Sequence, residues 1–151
     1  MILDSRNEFA DAVAVNTGPV GTYLVGSQID LGAANNVGAI SDLHLVIQVQ
    51  TAITAAATGT LEFVLASDDS AAVATNGSAT VHFTTGAIPA AAGIAAGTVL
   101  ACVAVPQGFT YERYLGILQK TGAAAATAGK IDAFLTNDPA RWVSYDSPSH
   151  L

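Results

Sequence analysis

The sequence predicts an all-β protein, an antiparallel β-sandwich or jelly roll with extended N- and C-terminal arms. Three observations lead there. Apolar and polar residues alternate with period two along most of the chain. Turn-forming dipeptides recur between the alternating runs. No segment carries an amphipathic helical stripe of useful length. Seven or eight short strands fit within 151 residues. A single domain of that size buries about 70% of its unfolded surface and needs no metal or disulfide to hold a core. The implied organisation is an N-terminal arm over residues 1–20, a sandwich over 21–136 and a C-terminal tail over 137–151.

The opening MILDSRNEFADAV is acidic, and helical spacing would align only Leu3, Asn7 and Ala10 on one face. That is a poor apolar stripe, so the segment reads as an arm that docks elsewhere, with Phe9 as its apolar contact. A weaker strand covers TYLVGSQIDLG near 22–32. In LHLVIQVQT, Leu43, Leu45, Ile47 and Val49 face one way; in TLEFVLAS, Leu61, Phe63 and Leu65 alternate with Glu62, Val64 and Ala66. ATVHFTT alternates likewise, and TVLACVAV (98–105) is apolar on both faces, as a central strand would be. YERYLGILQK (111–120) and KIDAFLT (130–136) complete the set. In the first of these, regular alternation would put Tyr111, Arg113, Leu115 and Ile117 on one face and Glu112, Tyr114 and Gly116 on the other.

Turn signals separate the runs: Asn35-Asn36-Val37-Gly38, Thr58-Gly59, Asp68-Asp69-Ser70, Asn76-Gly77 and Thr121-Gly122. GAIPAAAGIAAG (86–97) reads as a long loop or crossover. TGAAAATAG (121–129) is rich in alanine, but its flanking glycines and short length favour a loop between strands over a helix.

Composition narrows the function classes. Charged residues make up 11% of the chain and the net charge is −7, with the five cations Arg6, Arg113, Lys120, Lys130 and Arg141 scattered. Nucleic-acid and anionic-membrane binding both need clustered cations, so neither is expected. Scarce charge beside 51% hydrophobic residues points to a surface partly covered by other protein. The lone Cys102 excludes an internal disulfide, in keeping with assembly in the cytoplasm. Asp4, Arg6, Glu8 and Asp11 stand where a signal peptide would need an apolar run, and no stretch is long and apolar enough to span a membrane.

No nucleophile elbow, zinc-helix motif, paired-cysteine motif or phosphate loop is present, so no catalytic residue, cofactor or metal is expected. His44 and His82 occupy outward-reading positions on two strands; they would make a metal pair only if those strands were neighbours, and read better as surface histidines. Asp68-Asp69-Ser70 lacks the spacing of a calcium loop and reads as a turn. Arg113, with Tyr111 and Tyr114 beside it, has two readings: a structural salt bridge or edge-strand stacking, or an intersubunit contact. The proline-punctuated tail holds Arg141, the only tryptophan Trp142, and Tyr145. Aromatics in a tail suit a protein groove better than a sugar platform. The tail either anchors a neighbouring chain or folds back across its own sandwich.

Four stretches resemble the jelly-roll capsid cement (decoration) proteins of tailed bacteriophages. They are the start MILDSRNEFADAVAV, GSQIDLG (26–32), GTVLACVAVPQGFTYERYLGI (97–117) and TAGKIDAFLTNDPARWVSYDS (127–147). Residues 51–95 match in pattern only, and the alanine-rich loops depart from the family. The resemblance implies a non-enzymatic virion protein on the outer surface of the capsid. It would be assembled in the host cytoplasm and bind the major capsid protein and itself, as a dimer or trimer. The competing reading is a carbohydrate-binding or adhesin-like sandwich module of a phage fibre.

Overall fold

A computed structural model describes residues 5–34, 37 and 42–139. Part of one expected turn (Asn35, Asn36, Gly38), the interface candidates Arg141, Trp142 and Tyr145, and His150 lie outside the described residues. A 3-10 turn at Ser5–Asn7 precedes nine strands: β1 Glu8–Ala14, β2 Gly21–Asp30, β3 His44–Ala55, β4 Thr60–Asp68, β5 Thr80–Thr84, β6 Ile88–Pro89, β7 Val99–Ala104, β8 Tyr114–Gly122 and β9 Ala126–Thr136. Sheet A has the order β1-β9-β3-β7 and sheet B the order β2-β8-β4-β5, with the short β6 paired to β4. All pairings are antiparallel.

The connectivity is that of a jelly roll. β1 pairs with β9, β2 with β8, β3 with β7 and β4 with β5. The chain is thus one long antiparallel ribbon, folded so that its successive pairs alternate between the sheets. The core lies between them: Leu45, Ile47, Val49, Ile131, Ala133 and Leu135 from sheet A meet Leu61, Phe63, Leu65, Leu115 and Ile117 from sheet B. These are the inward sets that period-two alternation assigns, and each such side chain contributes about 1.5–3 kcal/mol when fully buried. Among the described residues, no buried side-chain polar atom lacks a partner. Gln119, fully buried, accepts a hydrogen bond from the Asn16 amide at 2.8 Å and donates to the Asn16 carbonyl and to Thr121 Oγ1, each at 2.9 Å. That clamp fixes the β1–β2 turn.

Five expectations change. Residues 8–14, read as part of a docking arm, form edge strand β1, and Phe9 is 1% exposed inside the core. The alternation there is broken by register shifts between Glu8 and Ala10 and between Ala10 and Val13, and Ala12 sits at φ 49°. Consecutive Phe9 and Ala10 are therefore both buried, which no period-two pattern anticipates. Second, β8 begins at Tyr114, so the regular alternation does not reach back to Tyr111 and Arg113. Third, His82 is not a surface histidine. Leu65 pairs with Phe83 and Ala66 with Val81, leaving His82 as the extra residue of a bulge that turns it towards Tyr111. Fourth, the alanine-rich 121–129 stretch, read as a loop, is mostly strand, with only residues 123–125 between β8 and β9. Fifth, TVLACVAV is not a central strand: its strand β7 forms an edge of sheet A, with Val99 and Cys102 exposed. The 86–97 stretch carries the crossover from sheet B to sheet A.

β1 and β2 approach closely at Phe9 and Gly26. Gly26 has φ +68°, and a Cβ there would fall on the Phe9 carbonyl oxygen. We expect Gly26→Ala to cost about 3 kcal/mol, combining left-handed strain with a backbone clash. Gly32, at φ +78° with nothing near its missing Cβ, provides the control. Gly32→Ala should cost about 1 kcal/mol from backbone conformation alone. Denaturant melts of the two variants measure the difference.

Candidate protein-interface rim

Strand registers place the candidate residues at one end of the sandwich. Asp30, ending β2, and Asp68, ending β4, both lie opposite Tyr114, the first residue of β8. His44, starting β3, lies opposite Ala104 and Thr136, which end β7 and β9. Glu8, starting β1, pairs with Phe134. Short connections join the strands at the other end, as between β3 and β4 and between β8 and β9. Hence the 31–43, 69–79 and 105–113 loops, the approach to β1 and the exit from β9 all meet at one rim.

Side chains tie these loops down. The 69–79 loop hangs on Asp68, whose carboxylate accepts from Ser70 N–H at 2.9 Å and Ala74 N–H at 3.0 Å, and on Gln28, which accepts from Val73 N–H at 3.1 Å. Asp68 therefore acts as a turn residue. The 105–113 loop hangs on a buried polar knot. Tyr111 is fully buried and donates its hydroxyl to the Pro106 carbonyl at 2.6 Å. Its ring lies against the His82 ring, with centroids 3.9 Å apart. His82 Nε2 is 2.7 Å from Ser67 Oγ, which accepts from Glu112 N–H at 3.0 Å.

Electrostatics follow from this burial. Burial pushes the His82 imidazole below its ordinary 6.5, so the ring is neutral near pH 7. Ser67 Oγ already accepts from Glu112 and has its own hydrogen to give, so we assign His82 Nε2 as the acceptor. Burial pushes the Tyr111 phenol up to about 12, keeping it a donor. Ser67 and His82 have the separation of a nucleophile and its base, but Ser67 is fully buried, with no surface for a substrate. The pair holds a loop.

Arg113 and Tyr114 are the outward members of the candidate set. Arg113 projects from the loop and grips Asp30 through two hydrogen bonds, Nε to Oδ1 and Nη2 to Oδ2, both 2.9 Å. Its guanidinium lies 5.0 Å from the centre of the half-buried Tyr114 ring. The structural salt bridge is thus real, and 46% of each charged side chain still faces solvent. The hydrogen bond from Arg113, then the Gly32 amide at 2.8 Å, holds the Asp30 carboxyl at about 2. Phe9 and Tyr111, the other described candidates, are core residues and present no side chain at the surface.

Sequence reasoning missed Phe109, which is 59% exposed on the same 105–113 loop. Its signal was available: Pro106-Gln107-Gly108 is a turn sequence, and Gly108 at φ +82° throws the next residue outward. Around the rim stand Asp42, Asp69, Glu112 and Asp138 besides Asp30 and Asp68, against the cations Arg6 and Arg113. An open groove of about 520 Å³ runs between β1 and β2, with Glu8, Asp11, Ile29 and Asp30 in its walls. His44 belongs to sheet A and His82 to sheet B, so the two histidines do not form a pair. Among the described residues, no three of His, Cys, Asp and Glu converge as metal ligands.

Two titrations separate the roles. Because His82 has a lowered folded-state pKa, its contribution to stability is present above about pH 6.5 and is lost as pH falls through the folded value. The melting temperature should decline below pH 6.5, and His82→Gln should flatten that slope. Tyr111→Phe should cost about 1–3 kcal/mol at every pH below the phenol's, since the buried Pro106 carbonyl loses its donor. Asp30 acts in a lower window, between its ordinary 3.8 and about 2, and Arg113→Ala should return its carboxyl towards 3.8 in an NMR titration.

No curated protein matches the chain. The family model Bbp16 matches residues 9–135, from the second residue of β1 to the last but one of β9, and so takes in the whole sandwich. The chain belongs to the Bbp16 family, a name that points to a phage-associated protein.

Proposed function

We propose that this protein is a non-enzymatic capsid decoration, or cement, protein. It binds the outer surface of the major capsid protein shell as a homo-oligomer and braces the DNA-filled head. The observation that carries this reading is the rim: a rigidly anchored loop displaying Phe109 beside Arg113 and Tyr114, with β1 starting and β9 ending at the same place. An exposed phenylalanine on a tied-down loop is a low-entropy anchor, and arginine and tyrosine are favoured at interface centres. The proposed contact set also keeps Arg141, Trp142 and Tyr145, which follow β9 in the sequence and lie outside the described residues.

The electrostatics agree with a protein partner. A net charge of −7 repels nucleic acid and suits a position outside the shell. Its rim carboxylates complement a basic surface, which speeds encounter more than it tightens the final complex. A single contact of standard size buries about 1,200–2,000 Å². An oligomer touching several shell subunits adds avidity, because later contacts become intramolecular.

Quantitative mass spectrometry of purified virions tests the role. A copy number of the same order as the major shell protein is expected; a few copies or none would reject it. The contact residues are tested separately on emptied shells. Phe109→Ser and Arg113→Ala should each weaken binding about tenfold or more, as removal of an interface anchor does, with little change in melting temperature. Unchanged shell binding by both variants would remove the rim from the interface.

A further inference from the structure

β7 is the outermost strand of sheet A, and among the described residues nothing pairs with its outer edge. The backbone there has open hydrogen-bonding groups. Val105 N–H donates to the Leu43 carbonyl at 2.8 Å. Bonded and non-bonded pairs alternate from that point, so Val103 and Ala101 exchange hydrogen bonds with Leu45 and Ile47. Cys102 and Ala104, opposite Val46 and His44, therefore turn their N–H and C=O away from β3. Such an edge accepts another strand, and proteins block it with charge, proline or bulges. The other edges are blocked. β1 carries Glu8, Asp11 and two register shifts, and lies against the bulged β2. β5 is five residues long and bulged at His82. β7, VLACVA, has neither charge nor proline and keeps unbroken register from Ala101 to Ala104. Its surroundings are equally neutral. None of residues 70–111 is Asp, Glu, Lys or Arg, although the chain holds twelve acids and five bases. Both edge strands on this side of the sandwich, and the crossover between them, thus lack formal charge. Val81 on β5 and Val99 on β7 are 50% and 44% exposed there.

We propose that the β7 edge is a self-association surface. β7 of one copy pairs antiparallel with β7 of a second copy about a two-fold axis, and sheet A continues through the dimer. Charge selects this occupant. Each copy carries −7, and contact along the acidic rim would set like charges together. The neutral edge lets two acidic copies meet without that repulsion. A two-fold contact must be complementary to itself, and an uncharged strand with open donors and acceptors meets that condition. The open groups lie on alternate residues. A register centred on Cys102 sets it opposite the partner's Cys102, with about 5.5 Å between the Cα atoms. Asp30 and Arg113 stand on the β2–β8 side, away from this edge, and stay free for another partner. The inference deepens the homo-oligomer of the proposed function and rests on that part of it, not on shell binding.

Sedimentation equilibrium of the purified full chain tests the pairing. A two-chain species is expected. Ala104→Pro removes only an outward N–H, so the melting temperature should hold while the dimer constant weakens about tenfold or more. If that variant does not fold, Val99→Lys tests the same edge with a charge. Mild oxidation of the unaltered dimer with copper–phenanthroline should link the chains through Cys102, because a Cα separation of about 5.5 Å suits a disulfide. Cys102→Ser protein should stay unlinked. A trimer, or a dimer that does not link, would overturn the proposal. A dimer that both edge substitutions leave intact in folded protein would overturn it too, while the homo-oligomer stands with its contact elsewhere. A monomer whose binding to emptied shells is lost with Ala104→Pro would also overturn it and give the edge to a strand of the shell.

Discussion

The nested pairing of the chain's two halves is the constraint on which everything else rests. β1 hydrogen-bonds to β9, β2 to β8 and β3 to β7, so every sheet contains strands from opposite ends of the sequence. Neither sheet can be completed until most of the chain is present. Loop closure on this scale is entropically costly and slow, and burial of the shared core must offset it. The first strand shows the dependence most clearly. EFADAVA has little pattern of its own, and becomes a strand because β9 offers an edge and the core offers a place for Phe9.

The rim is a consequence of that winding. A ribbon folded back on itself delivers the 31–43, 69–79 and 105–113 connections, the start of β1 and the end of β9 to the same side of the sandwich, while the 85–98 crossover and three short connections close the other. Long connections are expensive to order, and the molecule orders them with specific polar contacts. Asp68 and Gln28 fasten one loop, and Ser67, His82 and Tyr111 fasten another. Display of Phe109 and Arg113 depends on this fastening, since an anchor on a loose loop would lose its advantage to ordering entropy.

Charge is arranged by the same economy. Six of the ten acidic residues among those described stand at the rim, where Arg113 is engaged by Asp30. An exposed, bidentate pair of this kind adds little to stability, but it fixes the direction of a guanidinium that still faces solvent on one side. The buried titratable groups behave oppositely: His82 and Tyr111 are held neutral and serve as hydrogen-bonding struts.

The sequence by itself determined the fold class and most of the strands. LHLVIQVQT and TLEFVLAS follow a two-residue period, and each sorted its inward residues correctly, because that period is a local property of an extended chain. It also determined the charge-poor, acidic character that turns attention to a protein partner. Only the tertiary structure decided the exceptions. Phe9 and His82 owe their places to bulges, where one strand slips against a partner far away in sequence, and no local period records the slip. Tyr111 is buried because the loop before β8 folds onto Ser67 and His82, residues more than twenty positions away. Phe109 is exposed for the converse reason, standing on the outer side of that same loop. Which aromatic is core and which is exposed depends on what each loop meets after the sheets have closed, and alternation along one strand carries no information about that.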